Sequence, residues 1–317
     1  MYPFLLTAPT KDYVWGGTRL SREYGLDSSK ERQAEGWMLS CHKDGESTVA
    51  NGENKGKALS AVLAAHPEYT GSKGEGKAFP VLIKLIDAKQ NLSVQVHPDD
   101  EYAMRVEGES GKTEAWYIVD CDEGAQLIYG FKKEISRDEF EQAIKNNTLL
   151  DVVNRVSVKK GDLFFIESGT LHAIGEGILL AEIQQSSNTT YRVYDYGRIV
   201  DGKPRELHIE KALDVTNRKM PKSTGKPMGE KECFEGFCMT LLTKCEFFTS
   251  TDIEISTQYT DSADNTSFVS LLVLDGEGTL EGCGESLEIK KGDSVFIPAS
   301  SGKFTVSGKL DIIKTVL

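Results

Sequence analysis

Two histidines, a glutamate and a glutamine stand where this sequence leaves little room for polar groups. In Leu92-Ser93-Val94-Gln95-Val96-His97-Pro98 the side chains alternate with period two. Ser93, Gln95 and His97 therefore share one face of a strand, and Leu92, Val94 and Val96 share the other. Glu114, seventeen residues beyond His97, opens the apolar strand Ala115–Val119, where a carboxylate is unfavourable unless paired or bound to a metal. His172 follows the strand Leu163–Ile166 and a tight Ser168-Gly169 turn. Taken singly, the first group fits a solvated strand face and His172 fits a structural hydrogen-bonder. Taken together, two imidazoles, a carboxylate and an amide oxygen from three neighbouring strands form a four-ligand set suited to a divalent metal. The other histidines, His42, His66 and His208, sit in polar or helical contexts and are expected at the surface.

The elements that must position these residues are mostly strands. Short apolar or alternating runs bounded by Gly, Asp, Asn and Ser recur at Val81–Ile86, Leu92–Val96, Ala115–Val119, Gln126–Tyr129, Leu163–Ile166, Gly177–Ile183, Tyr191–Tyr194, Val269–Leu274 and Ser294–Ile297. Helices are few. Leu59–His66 carries Leu59, Val62 and Leu63 on one face, the capping box Ser136-Arg137-Asp138-Glu139 opens a second helix, and Ile209–Val215 is a third. Pro98 with Asp99-Asp100-Glu101 reads as the first turn of another.

Residues 115–167 and 268–299 resemble each other: each carries a strand–turn–strand and then Lys-Lys-Gly-Asp-x-x-Phe-Ile. Gly161 and Gly292 are expected at positive φ in tight turns, with the following Asp bonded to its local backbone. The second copy contains no histidine. The pattern predicts an ancient duplication in which one copy keeps a site and the other is a structural partner. The polar, proline-bearing stretch 218–227 reads as an interdomain loop. The expected division is a metal-binding domain over 1–220 with helical insertions and a second β domain over 221–317.

Composition bounds the function. The chain has 317 residues, which favours two domains over one. With 37 basic and 49 acidic side chains its net charge is −12, which argues against broad binding to nucleic acid or anionic membranes. No apolar run is long enough to span a bilayer, and Met1-Tyr2-Pro3-Phe4 does not read as a signal peptide. Cysteines 41, 121, 233, 238, 245 and 283 include no Cys-x-x-Cys pair. They are expected as reduced thiols in a cytoplasmic protein.

Gly161-x5-Glu167-x-Gly169-x2-His172 looks like the second cupin motif, with Glu167 where proline is usual. Gln95-x-His97 followed by Lys112-x-Glu114 is more particular and resembles the type I mannose-6-phosphate isomerases. The likeness extends to Tyr13-Val14-Trp15-Gly16-Gly17, Glu35-Gly36-Trp37-Met38-Leu39-Ser40, Phe79–Lys84, Thr190–Tyr196 and Leu207–Asp214. It covers most of residues 1–215 in the short bacterial form, and the C-terminal third matches only as a degenerate cupin.

The resemblance implies a mainly β fold of two cupin-type β-barrels (jelly rolls) with a few inserted helices. It implies one Zn2+ per chain, held by Gln95, His97, Glu114 and His172, and a catalytic Arg192 with Lys112 beside the metal as acid/base. Ser93 and Lys84 would lie near the substrate phosphate. Trp15, like Trp37 and Trp116, reads first as a core or pocket-wall residue, and it is the candidate among them for lining a sugar site. The reaction implied is interconversion of D-mannose 6-phosphate and D-fructose 6-phosphate through a cis-enediol, by a monomer or homodimer. Where the family commonly carries an aspartate, four residues before the arginine, this sequence has Asn188. An amide takes up no proton at neutral pH, so Asn188 is expected to orient groups at the substrate site. Two alternatives use the same residues: an Fe(II) cupin dioxygenase with a two-histidine, one-glutamate triad, and a cupin that binds hexose phosphate without turnover.

Overall fold

A computed structural model describes residues 1–26, 29–221 and 225–317. Residues 222–224 of the expected interdomain loop lie outside the described residues. The chain is mainly β, with short helices between strands. No described helix is long and apolar enough to cross a membrane.

Contacts divide the chain into two compact units: residues 1–11, 18–85 and 227–317 in one, and residues 12–17 and 86–226 in the other. A single cut between residues 220 and 221 does not reproduce them. The reason lies in strand pairing within the first unit. Phe4–Thr7, at the start of the sequence, pairs antiparallel with Ser294–Ile297, near its end. No local signal in the sequence announces a pairing over that separation.

The unit of residues 12–17 and 86–226 carries the expected ligands. Five antiparallel strands pair in the order Val153–Ser157, Gln126–Phe131, His172–Ala173, Val94–Val96, Tyr191–Tyr194. Leu163–Ile166, Glu114–Cys121 and Ile178–Gln185 lie side by side in a second sheet. The period-two pattern of 92–97 sorts as the alternation requires. Val94 and Val96 are fully buried in a core with Ile128, Phe131, Tyr191 and Val193, each such side chain contributing about 1.5–3 kcal/mol. Helix Ile209–Val215 closes that core with Ala212 and Leu213. The capping box forms as expected: Ser136 Oγ accepts from the Glu139 N–H at 3.1 Å and the Glu139 carboxylate accepts from the Ser136 N–H at 2.7 Å.

In the other unit one sheet runs Glu232–Phe234, Phe237–Lys244, Thr249–Ile255, Gly302–Val316, Val269–Gly282, Ser294–Ile297, Phe4–Thr7, Thr48–Val49. Its apolar face gathers Ile253, Leu271, Val273, Val295, Ile297, Phe304 and Ile312. Both Lys-Lys-Gly-Asp turns behave alike. Gly161 and Gly292 have φ of 87° and 91°, and Asp162 and Asp293 accept from the backbone N–H of Lys159 and Lys290 at 3.0 and 2.8 Å. Strand pairing among the described residues defines open sheets; it does not define two closed barrels.

Two expectations are corrected here. Cys233 and Cys238 form a disulfide, because they face each other directly across the strands Glu232–Phe234 and Phe237–Lys244; Cys41, Cys121, Cys245 and Cys283 are free thiols. His42 is buried, edge-on to the Trp37 ring at 5.8 Å between centroids.

Candidate metal centre and active site

The strands carry the four expected ligands to one place. His172 is the direct cross-strand partner of Gln95, and His97 lies two residues further along the same face. Glu114 arrives from the other sheet, opposite Ile166 on one side and Gln184 on the other. Ligand atoms of His97, Glu114 and His172 all lie within 4.8 Å of one another. Glu114 Oε1 is 3.3 Å from His172 Nε2 and 3.6 Å from His97 Nε2, and the Gln95 amide approaches His172 Nε2 at 3.5 Å. His97, Glu114 and His172 are at most 1% exposed. The face that could have been a solvated strand surface is a buried polar cluster.

The imidazole protons settle what this cluster lacks. His97 Nδ1 lies 2.8 Å from the Thr189 carbonyl and His172 Nδ1 lies 2.8 Å from the Thr170 carbonyl. A carbonyl only accepts, so both rings carry their proton on Nδ1 and turn an Nε2 lone pair inward. Burial, with Lys112 nearby, pushes the His97 imidazole down to about 4 and burial lowers His172 as well, so both rings are neutral near pH 7. Burial works against the Glu114 carboxylate; the charge of Lys112 more than offsets it, holding its pKa well below the usual range. Two lone pairs thus converge on an ionised carboxylate whose Oε1 has no hydrogen-bond partner among the described residues. Lys112 reaches Glu114 Oε2 and His97 Nε2 but leaves Oε1 without a donor among the described residues, and acceptors crowded around it in a buried site are unfavourable unless a cation sits among them. Nitrogen and oxygen donors with their second nitrogens tied to carbonyls match what a zinc-type ion requires.

Lys112 stands at the edge of the cluster. Its Nζ is 2.7 Å from Glu114 Oε2, 3.1 Å from His97 Nε2 and 3.8 Å from Glu182 Oε1. The loop that carries it is fixed from both sides. Asp100 Oδ1 accepts from the Gly111 N–H at 2.7 Å and from Gln185 Nε2 at 3.0 Å, while Gln185 Oε1 accepts from the Thr113 N–H at 2.9 Å. Gly111 is required for this packing, since a Cβ there would lie 2.5 Å from the backbone of Asp99 and Asp100.

Other expected site residues divide. Arg192 is the cross-strand partner of Gln95; its NH1 donates to the Glu206 carbonyl at 2.9 Å, and its buried Nε has no hydrogen-bond partner among the described residues. Ser93 is buried and donates to Gln95 Oε1 at 3.3 Å, so it orients the amide. Asn188 belongs to the turn that supplies the Thr189 carbonyl; Glu109 Oε2 accepts from its N–H at 3.5 Å and from Thr189 Oγ1 at 3.1 Å. Trp15 is 4% exposed and packs on Tyr13 at 5.7 Å, so it is a core residue of its unit. Lys84 belongs to the other unit, where its Nζ is 3.7 Å from Glu35 Oε2 and 5.3 Å from the Trp37 ring.

Glu182 went unnoticed in the sequence. It accepts from Trp116 Nε1 at 2.8 Å behind Lys112. Its signal was the one that exposed Glu114, a carboxylate inside the apolar strand Ile178–Gln185. The two copies of the repeat differ at the position of Glu114. Ile166 pairs with Glu114 in the first, and Ile297 pairs with Val269 in the second. An apolar side chain takes the carboxylate's place, and it lies in the hydrophobic core.

Known proteins agree over the whole length. Residues 4–124 match the family model of the phosphomannose isomerase type I catalytic domain, and residues 238–317 match that of the mannose-6-phosphate isomerase cupin domain. The mannose-6-phosphate isomerase of Streptococcus mutans serotype c is 39% identical over 315 residues, covering 98% of this chain and 97% of that protein. A Bacillus subtilis mannose-6-phosphate isomerase is 38% identical over 313 residues, 98% of each chain. The crystal structure of the mannose 6-phosphate isomerase from Bacillus subtilis superposes with a TM-score of 0.92 at 38% identity, covering 99% of both chains.

Proposed function

This chain belongs to the type I mannose-6-phosphate isomerase family, and we propose that it interconverts D-mannose 6-phosphate and D-fructose 6-phosphate with one zinc ion held by Gln95, His97, Glu114 and His172. The observation that carries this reading is the convergence of two inward-facing Nε2 lone pairs on the partnerless Oε1 of Glu114. Zinc bound there would act as Lewis acid and template for the sugar oxygens.

The chain's own residues supply the rest. Aldose–ketose interconversion moves a proton between C1 and C2 through a cis-enediol with developing negative charge on oxygen. We assign Lys112 Nζ, beside His97 and Glu114, to take that proton as the neutral amine and return it as the ammonium. Arg192 is permanently charged, and its Nε has no partner among the described residues; the guanidinium is suited to the enediolate oxygen. Asn188 carries no titrating group and orients the substrate from the turn that also fixes His97. The mainly β fold and the repeated turn support reading the two copies as cupin jelly rolls, one of them without ligands.

A coupled assay with mannose 6-phosphate, run beside an oxygen electrode, tests the reaction class. Isomerisation without oxygen uptake is expected; oxygen consumption without fructose 6-phosphate, or binding without turnover, would overturn the reading.

Metal retention has its own pH signature. A ligand imidazole must be neutral, and a proton competes with the metal for it. An ordinary histidine is half-protonated near pH 6.5, but the buried His97 reaches that point only at about 4. Metal content measured after equilibration should therefore hold from pH 8 down to about 5 and fall as pH approaches 4. A midpoint of loss near 6.5 would show solvent-like ligands and contradict the buried site.

A further inference from the structure

The geometry points to His208 as the positioning residue that fixes Arg192, an inference that rests on the catalytic role assigned to Arg192 above. The strand Tyr191–Tyr194 is the end strand of its sheet. An end strand turns backbone N–H and C=O groups outward with no neighbouring strand to meet them. At Arg192 one residue meets both. The Arg192 N–H donates to His208 Nδ1 at 3.1 Å, and the Arg192 carbonyl accepts from the His208 N–H at 2.8 Å. Two residues earlier, the Glu206 carbonyl accepts from the guanidinium NH1 at 2.9 Å. The segment 206–208 therefore grips Arg192 at its backbone donor, its backbone acceptor and its side chain.

The grip matters because the strand is irregular at this point. Its pairing with Val94–Val96 shifts register between Arg192 and Tyr194, and such bulges re-aim side chains and loosen the ladder. The clamp itself is anchored. The His208 carbonyl accepts from the Ala212 N–H at 2.9 Å at the start of helix Ile209–Val215, whose Ala212 and Leu213 are buried. Any residue at 208 supplies the backbone N–H. Only a side chain with an acceptor at the position of Nδ1 supplies the other half, and histidine does so in its neutral form.

The charges around His208 favour that form. It is half-buried and faces Arg192 and Lys211, which lower its pKa, against Glu206 and Glu107, which raise it; burial dominates and the net shift is downward. Protonation of Nδ1 would set two N–H donors against each other. A guanidinium released from this clamp would leave the enediolate oxygen by a distance on the order of 1 Å, enough to cost about 100-fold in rate.

The test uses metal-loaded wild type, His208→Leu, His208→Asn, Arg192→Ala and the double variant Arg192→Ala/His208→Leu, with kcat, KM, bound metal and Tm measured for each. His208→Leu should lower kcat by about 10- to 100-fold with KM and bound metal little changed. His208→Asn, whose Oδ1 replaces Nδ1 as acceptor, should recover most of that loss. In the Arg192→Ala background the leucine substitution should cost less than about twofold, since the group it acts through is gone. The inference is overturned if His208→Leu keeps wild-type kcat, if it costs the same factor in both backgrounds, or if His208→Asn is no better than His208→Leu. Should His208→Leu not fold, His208→Gln, whose acceptor lies one bond too far, takes its place. Loss of kcat in Arg192→Ala beside a silent His208→Leu overturns only this inference, whereas wild-type kcat in Arg192→Ala overturns the role of Arg192 and this inference with it.

Discussion

His97→Ala should strip the metal from the site and lower turnover of mannose 6-phosphate by about a thousandfold, some 4 kcal/mol of barrier. The size follows from where His97 stands. It is 1% exposed, its Nδ1–H is committed to the Thr189 carbonyl, and its Nε2 is one of two lone pairs facing Glu114 Oε1. Removing it leaves one imidazole, one carboxylate and an amide, too few strong donors for a closed divalent site. Alanine also frees Lys112 from one of its contacts while its pairing with Glu114 remains, so the ion pair can close over the gap and the protein should still fold. The variant is checked by metal analysis of folded protein and by the coupled assay at saturating substrate. Full metal content in His97→Ala would remove His97 from the ligand set.

The second large effect separates chemistry from metal binding. Arg192→Ala should lower kcat by about 10²- to 10³-fold, the usual loss when one preorganised donor to a developing oxyanion is removed, while bound metal stays at the wild-type level. Arg192 pairs across the sheet with Gln95, yet its guanidinium bonds to the Glu206 carbonyl and to no ligand side chain. Its deletion therefore leaves the cluster's own contacts in place. Parallel loss of metal and activity in Arg192→Ala would instead make it a structural support of the metal centre.

What the sequence revealed and what it hid have physical reasons. Glu114 and the Ser93-Gln95-His97 face were legible because polar groups in apolar strands are unfavourable without a partner, and the buried cluster is that partner. The Lys-Lys-Gly-Asp turns were legible because a positive φ and an Asp–backbone bond are local. Glu182 carried the same signal as Glu114 and was missed because no second ligand stood near it in sequence. The clamp on Arg192 was hidden for another reason: His208 lies sixteen residues away, and only the fold brings its Nδ1 to the Arg192 N–H. Lys84 and Trp15 are buried with local partners that the sequence did not announce: Lys84 Nζ lies 3.7 Å from Glu35 Oε2, and Trp15 packs on Tyr13. The unit boundaries and the Cys233–Cys238 bond depend on which strands pair, a property of the assembled sheet.

The central claim, that a metal in the buried His97–Glu114–His172 cluster is required for isomerisation, is tested most directly by titration. Chelator-treated protein would be titrated with Zn2+ while bound metal and turnover of mannose 6-phosphate are followed together. The account predicts negligible turnover without metal and activity that rises in proportion to bound zinc, reaching its plateau at about one ion per chain. Undiminished turnover in fully metal-free protein would contradict it.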